Sequence, residues 1–126
     1  MRVKIEVTQE MLDTCVRRDC EKCILGTAFA NVVSNDCVVQ VSASWDRDKQ
    51  KETHDEVCLY RLNSDICVIK LPRKLAKLAN AWEMQESEHV AVPYMDANAK
   101  VEPTTCMVDI PVIFLKEEVL KHATKS

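Results

Sequence analysis

Apolar and polar positions first alternate, then gather into stripes, then alternate again along this chain of 126 residues. Residues 2–7 set Val3, Ile5 and Val7 on one side and charges on the other, the period of a half-buried strand. Thr8 stands where a helix cap belongs. It precedes a short amphipathic helix over 9–16, with Met11, Leu12 and Cys15 turned inward. Residues 19–33 carry the strongest helical stripe: Ile24, Leu25, Ala28, Phe29, Val32 and Val33 recur at spacings of one, three and four. Asp19 is the expected N-cap of this helix, and Ser34-Asn35-Asp36 its expected end. The chain's one glycine, Gly26, falls inside the stripe. A glycine there costs about 1 kcal/mol relative to alanine, which points to close packing by another backbone.

Strand signals follow. Residues 37–45 place Val39, Val41, Ala43 and Trp45 on one face and Val38, Gln40, Ser42 and Ser44 on the other, so one face is core and the other largely polar. The charged run 46–53 reads as a solvated hairpin tip. Residues 56–62 and 66–71 make two further strands around an Asn63-Ser64-Asp65 turn, completing an antiparallel meander. Pro72 suits the first position of a second helix, in which Leu75, Leu78, Ala79 and Trp82 recur at helical spacing. Residues 89–94 are strand-like, but Pro93 assigns them to an edge. Residues 106–115 alternate loosely and are broken by Pro111, and 116–122 have the length of one or two helical turns.

These elements predict an α+β domain over 1–126 with a frayed tail from about 122. The expected architecture is an antiparallel sheet of about four or five strands, with two main helices packed on one face. The predicted core contains Ile5, Leu12, Ile24, Leu25, Phe29, Val39, Val41, Leu59, Ile69, Leu75, Leu78 and Trp82.

Composition narrows the function classes. The apolar fraction is 47% and the formal charge is −3. That charge argues against a general nucleic-acid surface, which needs a basic patch. No apolar run reaches the roughly 18 residues of a membrane span, and MRVKIEV interleaves charge with apolar residues, unlike a signal peptide. The expected location is the cytoplasm. Seven cysteines, an odd number without an export signal, read as reduced thiols serving as small core hydrophobes.

The order of short motifs resembles a loose group of small uncharacterised bacteriophage and prophage proteins. Their pattern is a strand ending in V-T-x-E, a short helix, then C-x-x-C-P-[IV]-A-x-A opening a longer helix. A hairpin, a Leu-Pro pair starting a helix and a V-x-P before a final strand follow. The matching residues here are Val7-Thr8-Gln9-Glu10, Cys20-Glu21-Lys22-Cys23-Ile24, Leu71-Pro72 and Val101-Glu102-Pro103. Ile24 replaces the pattern's proline, Gly26 and Ala28 stand where its alanines would be, residues 85–100 look like an insertion, and the tail after Val112 has no counterpart. The resemblance implies a small viral accessory protein, in the host cytoplasm, and carries no activity with it.

Three constellations hold chemistry. Cys15, Cys20 and Cys23 are close in sequence, but a tetrahedral zinc site needs about four ligands. A fourth would have to come from His54, His89, Cys37, Cys58 or Cys106. Packing under the helix start is the plainer reading. A redox pair at a helix N-terminus would use Cys20 as nucleophile and Cys23 as resolving thiol, but the preceding strand of a thioredoxin-like unit is missing. His54 and His89 adjoin carboxylates in charged segments and read as solvated surface. The basic residues Arg17, Arg18 and Lys22, and Lys70, Arg73, Lys74 and Lys77, are local positive patches suited to a partner. The expectation is a non-enzymatic protein that binds a host or viral protein, with no cofactor. A zinc- or thiol-dependent regulatory module is the alternative. A homo-oligomeric component contacting through the 90–94 edge is another.

Overall fold

A computed structural model describes residues 1–16, 22–46, 51–61, 66–84 and 101–124. Side chains of 42–46, 51–55, 83–84 and 122–124 are outside the description, and Asp19, the 63–65 turn and the 85–100 segment lie outside the described residues. The order is β1 (Arg2–Val7), α1 (Gln9–Thr14), α2 (Ile24–Ala30), β2 (Val38–Asp46), β3 (Lys51–Tyr60), β4 (Ile66–Lys70), α3 (Arg73–Met84), β5 (Thr104–Asp109) and α4 (Glu117–Thr124). A short 3-10 helix, Val112–Phe114, precedes α4.

The fold is α+β, and its strands form two small antiparallel sheets in place of the single one expected. β2, β3 and β4 make the meander; β1 pairs with β5. The β1–β5 register sets Val3 opposite Val108 and Ile5 opposite Cys106. Met1 and Ile110 extend that ladder by exchanging main-chain hydrogen bonds of 3.0 and 2.9 Å. Two helices join the sheets. α2 packs on β1 and β2, and α3 on β3 and β5. One apolar core runs through all of them. Every predicted core residue is buried except Val39, which is partly buried against the rest.

Each helix has a local cause. Thr8 caps α1, its hydroxyl oxygen accepting from the Met11 N–H at 3.2 Å. α1 stops early because the Val16 N–H, next in line for the Leu12 carbonyl, bonds the Lys22 carbonyl at 3.0 Å. The Leu12 carbonyl receives the Trp82 indole N–H at 3.1 Å, inside the core. α2 is shorter than its stripe. It begins at Ile24, with Cys23 as N-cap, and ends at Ala30. Past Asn31, Val33 bridges Leu115, and the Ser34 N–H bonds the Phe114 carbonyl. Those bonds take Val33, β-branched and comfortable in extended backbone, into a bridge, while Val32 stays in the turn that ends the helix. Gly26 is buried in α2. In α3, Leu75, Leu78, Ala79 and Trp82 form the buried stripe, and Pro72 lies one residue before the first helical position.

The charged 46–53 run is not wholly a loop. Asp46 pairs with Lys51, Trp45 with Glu52 and Ser44 with Thr53, beyond a register shift between Ser42 and Ser44. Residues 47–50 lie outside the description.

A polar staple fastens the turn before β2 to the 3-10 helix. Arg61 donates to Asp36 at 3.0 Å and to the Ile113 carbonyl, and its guanidinium lies 5.6 Å from the Phe114 ring centre. Hydrogen bonds from Ser34 and Arg61 hold the Asp36 carboxyl below the usual carboxylate range. A lowered folded value means that this contribution is present above the unfolded value, about 3.9. It is lost as pH falls through the folded value. Asp36→Asn is therefore expected to flatten the melting temperature's dependence on pH below about 4. Thermal melts from pH 2 to 7 check this, and an unchanged acid slope would remove Asp36 from the account.

Candidate functional site

The meander's outer face concentrates apolar surface at one edge. Side chains alternate along a strand, and the ladder aligns Val38, Tyr60 and Ile66 in one row, Gln40, Cys58 and Val68 in the next, and Glu56 and Lys70 in a third. The inner face carries Val41, Val57, Leu59 and Ile69, all buried. On the outer face the polar expectation holds at Gln40 and fails at β4, where Ile66 is 73% and Val68 60% exposed. Among the described residues β4 pairs with β3 alone, so its other edge has no strand against it.

A groove of about 480 Å³ runs beside that edge. One wall is residues 67–70 with Pro72; the other is Met1 with residues 108–111. The second wall is the end of the β1–β5 sheet, so the groove lies where the two sheets meet. Val108 and Ile110 are buried and give it an apolar floor, while Lys70 and Asp109 are exposed. Burial pushes the Cys67 thiol up, helped by Cys58 nearby, so it stays protonated at neutral pH.

Basic charge gathers at one end. Arg73 and Lys74 are exposed in the first turn of α3, directly after Pro72, and that turn has no acidic residue. The aligned peptide dipoles already make a helix N-terminus positive, and cations there are disfavoured by about 0.3–1 kcal/mol each. Among the described residues neither Arg73 nor Lys74 has an ion-pair partner. Lys77, one turn on, is also exposed.

The cysteines are placed differently from their sequence pattern. Cys23 is not in a helical turn but caps one: its backbone is extended, it is 4% exposed, and its sulfur accepts the Gly26 N–H at 3.4 Å. Cys15 is partly buried, with its sulfur 3.5 Å from the Thr27 hydroxyl. Cys20 lies outside the described residues, as do Arg17 and Arg18. Among the described residues no three His, Cys, Asp or Glu side chains are grouped to hold a metal ion. Lys22 is exposed at the foot of α2, on a different element from Arg73, Lys74 and Lys77. The 90–94 edge expected as an oligomer contact and His89 lie outside the description, and His54 is in β3 with its side chain undescribed.

Sequence reasoning reached Lys70, Arg73, Lys74 and Lys77 but missed Ile66 and Val68. The signal was present: Ile66-Cys67-Val68-Ile69 is apolar on both faces of its strand. A strand of that kind is either central in its sheet or covered from outside.

Comparison of the chain with models of protein families, with curated proteins and with solved structures found no match. The site therefore rests on its own chemistry. No helix among the described residues is long and apolar enough to cross a membrane.

Proposed function

We propose that the chain is a non-enzymatic interaction protein, of the phage accessory kind, that binds a host or viral protein in the cytoplasm through β4. The observation that carries this reading is the exposure of Ile66 and Val68 on a sheet edge beside an apolar groove. Single exposed apolar residues are ordinary. Two on an edge strand are what folded proteins avoid, because bare edges recruit other strands. β4 has no proline and no inward charge to blunt it, and its single lysine is at its end. The phage setting is supported by the short motifs alone.

Val68→Lys tests the reading. The side chain is exposed, so stability is expected to change by no more than about 0.5 kcal/mol. Capture of the protein's specific partner from bacterial lysate is expected to fall at least roughly tenfold, the effect of charging a buried interface position. Equal capture by the wild type and the variant would end the proposal.

A further inference from the structure

The groove has an outline, a hydrogen-bonding edge and a charged end, and together they specify an occupant. Its β4 wall is Cys67, Val68, Ile69 and Lys70, consecutive residues whose side chains belong to opposite faces. A cleft bordered by both faces follows the edge of a strand, where the main-chain donors and acceptors point. Four such residues extend about 13 Å, the length of a short extended segment. The opposite wall is apolar at Val108, Ile110 and Pro111, of which Pro111 is exposed.

Charge decides whose segment this is. Glu56 stands opposite Lys70 in the ladder, and Arg2 opposite Asp109, so those charges have cross-strand neighbours of opposite sign. Among the described residues Arg73 and Lys74, at the Pro72 end, have none. A second copy's β4, reading Ile66-Cys67-Val68-Ile69-Lys70, brings no acid. Paired antiparallel about Val68, it would set Lys70 beside Ile66 and leave Arg73 and Lys74 as they are. An acidic segment neutralises them.

Resting on the interaction reading above, we propose that β4 accepts an added strand from another protein. That strand is an extended segment, apolar at alternate positions, running antiparallel to β4. Its acidic N-terminal end lies beside Lys70, Arg73 and Lys74. The antiparallel direction continues the pairing of the existing sheet, and it is the more stable arrangement per residue.

The test uses the whole protein and an N-acetylated synthetic peptide of two glutamates followed by alternating valine and threonine. Its counterpart carries two lysines in place of the glutamates. Fluorescence anisotropy is expected to show the acidic peptide binding about fivefold to tenfold more tightly at low salt, the effect of two exposed ion pairs, with the preference shrinking as salt rises. Amide exchange is expected to slow across 66–70. The Arg73→Glu and Lys74→Glu double variant is expected to reverse the preference without lowering the melting temperature, since acids suit that helix turn. Equal binding of both peptides, no binding up to about 1 mM, or binding without slowed exchange at 66–70 overturns the proposal. A dimer in sedimentation that Val68→Lys dissolves also overturns it, while leaving the interaction reading standing. The interaction reading fails only if Val68→Lys leaves partner capture unchanged.

Discussion

Trp82→Ala is expected to cost about 3–5 kcal/mol of folding stability, a large share of the roughly 5–15 kcal/mol typical of a domain. Trp82 is fully buried, and α3 touches both sheets, through β3 and β5. Its loss leaves a cavity where the sheets are joined. It also strands the Leu12 carbonyl, whose helical donor, the Val16 N–H, is engaged by Lys22. Trp82→Phe separates the two effects. It keeps much of the packing but gives Leu12 no donor, and is expected to cost about 1–3 kcal/mol. Urea unfolding of both variants checks the pair. If Trp82→Phe is neutral, the indole–Leu12 bond contributes nothing to stability.

Phe114→Ala is the second large effect, again about 3–5 kcal/mol. The ring is 1% exposed and lies beneath the Arg61 guanidinium. The same residue's carbonyl accepts from Ser34, and its neighbour Leu115 bridges Val33. Emptying the ring's place is expected to loosen that crossing, so amide exchange at Ser34 and Lys116 should quicken more than the global loss requires. Arg61→Ala is expected to cost less, because its side chain is 25% exposed and its partner Asp36 65% exposed. Guanidinium chloride unfolding ranks the two. An Arg61→Ala cost equal to that of Phe114→Ala would mean that the staple, not the ring, holds the crossing.

Periodicity reveals which face of an element is buried, and here it placed β1, α1, the meander, α3 and nearly the whole core. It does not reveal partners. The first strand finds the last, across more than a hundred residues, and nothing in the pattern of Arg2–Val7 distinguishes that from joining the meander. The stripe through Val32 and Val33 was apolar for a real reason, since Val33 is buried. Its burial is in a bridge to Leu115, so helical spacing overstated α2. The Cys-x-x-Cys spacing fitted a helix start, yet Cys23 precedes the first turn and is enclosed. For the candidate site, the basic residues were visible as charges, but their relevance came from Pro72 bordering the groove. Ile66 and Val68 gave no such signal, because apolar character does not say whether a strand is central or at an edge.

The pairing of β1 with β5 also sets an order of assembly. Met1 meets Ile110, a sequence separation of 109. On the ribosome, where synthesis proceeds from the N-terminus at roughly 5–20 residues per second, β1 is made before the meander but acquires its neighbour after it. The meander closes through short hairpins and can form while the chain is still growing. β1 waits, its apolar Val3, Ile5 and Val7 without their sheet partner, until β5 has been made. A chain halted before β5 thus carries an orphan strand, and synthesis of β5 closes the smaller sheet.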